Sequence, residues 1–565
     1  MPCGRGPRGA WLLLLLASAR AALPGALPRP DIVLWTADDV GYGDLGCYGS
    51  PVAQTPHLDA LAREGIRFEQ AYAASTICTP SRAGQMTGLY PGRLGFEPED
   101  FGLAAGLPTV ASTLRSVGYA TAHFGKWDLI DCNASRLRAG PPAKTPSRHH
   151  FIGLEGVLPH DYGFNRIKRA RLEGPVMSKV LQYIQTATRR RVDGTAPTPI
   201  YLSLAGHVAH FPVEPPGKYL ARFGLANSTT TASSPSLVAK MPRAWMASTA
   251  AAAKQAGCLD VEAGLRRYVA NLAFLDDRVG EVRGAVAGNA ERSDNTLIIF
   301  TSDHGPSLAP VEFAIHGQAA CALLGSAGPD LRGAKHSFLE GGVRVPLIAH
   351  WPAAHAALAR RVDGDTVVSG LDFLPTFVAL ARAASDAPDA DSGFVVRADR
   401  FDGLDRSAAL AGKFGGGPTG KPLLWTQQLG HDSRACTRNA GVSFARLGRF
   451  KCHNCAGAGA RLYDIVADPG EARDLARAMP AQMAALAATV LALHATFPTE
   501  VTLCRRRKCA DAEVPRRLAC SAKACSGLPG CVPRKRSDRK KADRGIATRR
   551  TVRRSDPADV RRGPE

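Results

Sequence analysis

The chain has no apolar run of the roughly 20 residues needed to cross a bilayer. Its one leader-like run, from Trp11 to Ala17, is too short. With Arg5 and Arg8 before it and Ala19-Arg20-Ala21 after it, this run reads as a secretory signal peptide over residues 1–22. No other stretch reads as a membrane-spanning helix. Acidic residues are also few: 50, against 71 lysines and arginines, for a formal net charge of +21. From Val501 onward 20 basic residues face only 7 acidic ones, so the excess belongs largely to an appendage. Finally, Cys452-His453-Asn454-Cys455 lacks the second pair that a zinc site would need. In a secreted chain a disulfide is the expected reading.

What is present suits an enzyme-sized α/β chain. At 565 residues with 45% hydrophobic content, it is long enough for one large domain and a smaller one. Of 14 cysteines, Cys3 leaves with the leader. Sequons at Asn133 and Asn227 fit a secretory route. Ile32 to Thr36 is a continuous apolar run, as expected of a buried parallel strand, and it empties into Ala37-Asp38-Asp39. Ligands gather at the carboxyl ends of such strands, and paired carboxylates suit a hard divalent cation. A second apolar run, Leu297 to Phe300, ends in Thr301-Ser302-Asp303-His304, offering another carboxylate and an imidazole.

The stretch from Cys78 to Gly88 organises the rest. Pro80 reads as the opening of a helix, which puts Cys78 at a helix N-terminus with Arg82 one turn in. A thiol there is expected to have a lowered pKa. A lone cysteine is ordinarily structural, but Cys-x-Pro-Ser-Arg-x-x-x-Met-Thr-Gly resembles the signature of the sulfatase family, departing from it only in Met86 for Leu.

That resemblance implies an alkaline-phosphatase-like α/β fold: a large, mostly parallel mixed sheet sandwiched by helices, followed by a smaller antiparallel sheet and a helix. The expected boundaries are a catalytic domain over 28–383, a C-terminal subdomain over 401–500 and a basic, cysteine-containing tail over 504–565, its last part disordered. The resemblance further implies oxidation of Cys78 to formylglycine by a maturation enzyme. It implies a calcium ion held by Asp38, Asp39, Asp303 and His304 together with residue 78. By the same resemblance, Arg82, Lys126 and Lys335 would bind sulfate oxygens, and His210 in His207-Val208-Ala209-His210-Phe211-Pro212 would protonate the leaving oxygen. His207 is most simply a loop residue. Glu340 and Arg344, in the block after Lys335, would hold their loop together.

One position departs from the family. Gly125-Lys126-Trp127-Asp128 stands where sulfatases show Gly-Lys-Trp-His. A carboxylate beside a bound anion must be protonated or paired. Either Asp128 acts as the base, or His123 or His160 takes over, or turnover is impaired. The likeness runs from about Asp31 to about Ala476, and it predicts hydrolysis of sulfate esters on sulfated carbohydrates or aryl sulfates. A phosphate or phosphonate ester hydrolase and an inactive glycan-binding secreted protein remain alternatives. The basic tail is either solvated or a contact for polyanionic glycans, not for nucleic acid, which a secreted chain does not meet. Lysosomal and extracellular destinations are both open.

Overall fold

The computed structural model describes residues 28–497 except 95–102, 104–106, 130–161, 163, 165, 169–171, 188–197, 212, 227–228, 231–233, 256, 259, 291, 308–324, 329, 359–360, 384–400, 415–420, 428–441, 456 and 458, and adds 519–520 and 532–533. The leader, the sequons at Asn133 and Asn227, His160, the 384–400 boundary stretch and nearly all of the basic tail lie outside the described residues.

Eight strands form the main sheet: β1 (Asp31–Asp38), β2 (Ile66–Phe68), β3 (Ala120–Gly125), β4 (Arg166–Lys168), β5 (Ile200–Ala209), β6 (Thr296–Ser302), β7 (Leu347–His350) and β8 (Val362–Asp363). Their order is β8-β2-β7-β6-β1-β5-β3-β4. Only β7 runs against its neighbours, so β6, β1, β5 and β3 are four adjacent parallel strands with their carboxyl ends on one side.

The apolar run of β1 is continuous because both faces of the sheet are covered. Ile32 and Leu34 enter one core with Val110 and Leu114 of α3 (Val110–Ser116) and Leu374 and Phe377 of α6 (Phe373–Ala383). Val33 and Trp35 enter the other, with Leu58 and Leu61 of α1 (Pro56–Glu64) and Leu272, Leu275 and Val279 of α5 (Val261–Ala287). Asp260 caps α5 by accepting the Ala263 N–H at 2.9 Å.

The signature helix α2 runs over Cys78–Thr87. It starts two residues earlier than the sequence suggests, so Pro80 sits inside the first turn, where the missing N–H still costs nothing. Gly88 ends it in the left-handed conformation (φ 68°) that glycine adopts freely. Past α4 (Met177–Ala187) and α5, a second sheet follows: β9 (Leu423–Gln427), β10 (Val442–Leu447), β11 (Phe450–His453) and β12 (Arg461–Asp464), antiparallel throughout. The strand Phe450–His453 has no counterpart in the sequence reading. Helix α7 (Pro480–Ala495) covers this sheet through Leu486 and Val490. The subdomain docks directly in front of α2, where the Trp425 indole donates to the Ala73 carbonyl at 2.9 Å. Cys452 and Cys455 form a disulfide, as expected. Cys47, by contrast, is a free thiol and not one of a pair. Among the described residues no helix is long and apolar enough to cross a membrane.

Candidate active site

Four strand ends and one helix N-terminus converge. β1 delivers Asp38 and leads into Asp39, and β6 leads into Asp303 and His304. The end of β5 carries His207 and leads into His210, and β3 leads into Lys126 and Asp128. Cys78 enters from α2. Its sulfur lies 3.1 Å from His304 Nε2 and 3.5 Å from Asp38 Oδ1. Oxygen, nitrogen and sulfur donors of Asp38, Cys78, Asp303 and His304 all lie within 4.8 Å of one another, and Asp38, Asp39, Cys78 and His210 form an overlapping set. Three carboxylates with one imidazole suit a single divalent cation, the oxygens favouring a hard one.

Three cations share these carboxylates. Lys126 Nζ donates to both oxygens of Asp38, at 2.9 and 3.2 Å. Arg82 binds Asp303 through Nε at 3.0 Å and Nη2 at 2.8 Å, and lies 3.7 Å from Asp38. Lys335 Nζ is 3.1 Å from Asp39 Oδ1. Burial alone would push the Asp38 carboxyl up, but Lys126, His210, His207 and Arg82 outweigh it and hold the group well below the usual carboxylate range. Lys126 is held well above its ordinary value: burial opposes this, and Asp128 and Asp38 prevail.

The thiol does not behave as the helix N-terminus suggested. Burial raises the Cys78 pKa well above that of a free cysteine; Lys126 and Lys335 pull it down, while Asp38 and Asp303 add to the rise. The helix end stabilises an anion, but desolvation and two neighbouring carboxylates dominate. His210 is likewise held well below the ordinary imidazole value, first by burial and then by Lys335 and Lys126 against the opposing Asp38. It is therefore neutral near pH 7.

Asp128 is paired, as the physical argument required. Its Oδ2 accepts from the Thr79 hydroxyl at 3.1 Å and lies 3.7 Å from Lys126 Nζ. The backbone at Asp128 is left-handed (φ 53°), as it is at Asp39 (φ 61°). Such conformations cost on the order of 1 kcal/mol or more outside glycine and gather at functional sites. His123 faces elsewhere: Nδ1 meets the Ser203 hydroxyl at 3.0 Å and the ring packs on Trp127 and Phe164.

Two residues escaped the sequence reading. His207 is no loop residue. It lies near the end of β5, its Nδ1 lies 3.6 Å from Asp38 Oδ2, and its N–H is held by the buried Glu173 carboxylate at 2.8 Å. The histidine spacing in 207–210 was the available signal. Thr79 carried no signal, because its role depends on Asp128, 49 positions away.

A doubly covered parallel sheet whose strand ends bring together side chains that could hold a cation, ringed by lysines and an arginine, suits a hydrolase of oxyanion esters. The chain belongs to the sulfatase family, whose profile matches residues 30–383. It is 32% identical to human arylsulfatase A, over 93% of this chain and 98% of that protein. It is 30% identical to rat N-acetylgalactosamine-6-sulfatase, over 66% of this chain and 71% of that protein. The fold matches the crystal structure of Ps i-CgsB in complex with k-i-k-neocarrahexaose with a TM-score of 0.59 at 20% identity, covering 83% of this chain and 94% of that one.

Proposed function

We propose that this chain hydrolyses sulfate esters, with sulfated carbohydrate as the substrate class, using a formylglycine made from Cys78 and a calcium ion. The observation that carries the proposal is the gathering of Asp38, Asp39, Asp303, His304 and three cations around the Cys78 sulfur. That sulfur stands in for the oxygen that the oxidised residue would carry. Calcium would be held by Asp38, Asp39, Asp303 and His304. Bound there it would polarise a sulfate oxygen, while the oxidised residue 78 would supply the nucleophilic hydroxyl.

The chain's own side chains do the rest. Arg82, Lys126 and Lys335 neutralise the equatorial oxygens as charge builds, usually the largest electrostatic contribution. They now hold carboxylates at 2.8 to 3.1 Å, so their geometry is fixed before an anion arrives. Lys335 passes a proton to the leaving oxygen; His210, whose Nδ1–H is held by the Phe211 carbonyl at 2.7 Å, does so only after Nε2 has itself taken up a proton. Asp128, anchored by Thr79 and Lys126, is the acceptor for a proton released at residue 78. The relative named for N-acetylgalactosamine-6-sulfate supports carbohydrate over a simple aryl ester. The leader and the arylsulfatase relatives support a secretory route and maturation there by a formylglycine-forming enzyme. The basic tail is a candidate contact for a polyanionic glycan.

Rates on an aryl sulfate and the matching aryl phosphate, measured side by side on protein from a eukaryotic secretory host, test the reading. Sulfate turnover well above phosphate turnover supports it, and the reverse preference refutes it. The mass of the peptide containing residue 78 tests the modification separately.

A further inference from the structure

The loop that carries Lys335 is gripped at both ends by one residue of the C-terminal subdomain. The main-chain carbonyl of Glu471 accepts from the Arg332 guanidinium, three positions before Lys335. Its carboxylate Oε2 accepts from the Glu340 N–H at 2.7 Å, five positions after Lys335. Between these anchors the loop closes on itself, Gly341 N–H donating to the Arg332 carbonyl at 2.6 Å. It is tied to the end of β6 by Lys335 N–H to the Pro306 carbonyl and Gly305 N–H to the Gly342 carbonyl, both at 2.9 Å.

Glu471 is fully buried and its backbone is left-handed (φ 52°), a conformation that persists in glutamate only where its surroundings impose it. Its Oε1 lies 2.7 Å from His453 Nε2 and 3.1 Å from Lys451 Nζ. Lys451, also without solvent exposure, reaches Glu340 Oε1 at 2.8 Å. Glu340 Oε2 takes the Tyr72 hydroxyl at 2.6 Å and lies 3.9 Å from Arg344. Lys451 and His453 hold the Glu471 carboxyl below its ordinary value although burial pushes the other way. The carboxylate is thus an ionised, immobile anchor.

We infer that Glu471 is a positioning residue for the reaction, setting the place of the Lys335 ammonium by clamping both ends of its loop. The inference rests on the ester-hydrolase reading above, since it assigns a task to Lys335. A lysine on a loop has no strand to fix it, and displacement of about 1 Å at a reacting centre can cost 10²-fold in rate. Glu340, expected only to hold its own loop, also joins it to the second sheet through Lys451 and Glu471, while Arg344 donates to the Glu69 carbonyl at 2.7 Å.

The test is a double-mutant cycle on an aryl sulfate with Glu471→Gln, Lys335→Ala and both together. Glu471→Gln is expected to lower kcat about 10- to 100-fold with little change in KM. Lys335→Ala lowers it more, and the double variant should be no slower than Lys335→Ala alone. Losses that multiply, or an unchanged kcat in Glu471→Gln, overturn the inference. Thermal unfolding reports whether each variant is folded. Should Glu471→Gln fail to fold, Arg332→Met severs the other anchor and enters the same cycle with the same expected non-additivity. If the wild-type enzyme turns over phosphate and not sulfate, the sulfate reading fails by itself, and the cycle is run on the ester that is hydrolysed.

Discussion

Two buried charged clusters, both within reach of the Lys335 loop, are built to opposite ends. The one around Cys78 brings four carboxylates, Asp38, Asp39, Asp128 and Asp303, against Arg82, Lys126 and Lys335. The one at the domain junction sets Glu340 and Glu471 against Lys451 and Arg344. The first carries an excess of carboxylate with donors converging inside 4.8 Å, an arrangement that a cation completes. The second is balanced within itself, with Lys451 closing on both carboxylates at 2.8 and 3.1 Å and Arg344 standing 3.9 Å from Glu340, as buried charge must be paired when nothing else will arrive. Excess with convergence marks chemistry; balance marks a joint.

Substitutions should separate the two clusters in kind. The largest effect belongs to Cys78→Ala, which should abolish sulfate turnover, by about 10⁴-fold or more, while the thermal midpoint stays within a few degrees of wild type. Assay and calorimetry on the same preparation check this, and an active variant would place the junction and the site on the same footing. Lys451→Met inverts the pattern. It leaves Glu340 and Glu471 buried without their shared cation and should cost about 3–5 kcal/mol of stability, read from denaturant midpoints. Next, Lys335→Ala should lower kcat/KM by about 10²–10³-fold, or about 3–4 kcal/mol of activation free energy, with little loss of stability. Removing divalent ions with a chelator should stop turnover and lower the thermal midpoint, because the carboxylate excess is then uncompensated; restoring calcium should reverse both.

The smallest effect is a pH slope. Burial lowers the His453 pKa although Glu471 opposes this, so the imidazole is neutral in the folded protein where the unfolded chain, near pH 6.5, begins to take up a proton. Below that pH the unfolded state binds more protons, and stability falls as pH falls. His453→Gln should flatten this acid limb in denaturant titrations between pH 7 and 5; an unchanged slope would mean that His453 takes up its proton equally in the folded and unfolded states.

The sequence was legible where chemistry is local. Asp38-Asp39, Asp303-His304, Cys78 and Arg82 sit at the ends of apolar runs or inside a dense motif, so residue type and spacing pointed to them. It was silent or misleading where the answer depends on burial. Helix position alone suggested an acidic thiol at Cys78, and desolvation together with Asp38 and Asp303 reverses that. For Asp128 the sequence left three readings open, and its pairing with Thr79 and Lys126 was not legible there. His207 looked like a loop residue because the strand that carries it extends to Ala209, past the apolar run that marked its start.

By itself, then, the amino-acid order determined the layered α/β class and pointed to the candidate metal carboxylates and the candidate reactive position, because continuous apolar runs and motif spacing are properties of neighbours along the chain. Only the tertiary structure decided which cations share those carboxylates, which histidines are neutral, and that Glu471 in the second domain holds the loop of Lys335. These depend on distances between residues 88 to 221 positions apart and on the exclusion of water, which no local pattern encodes.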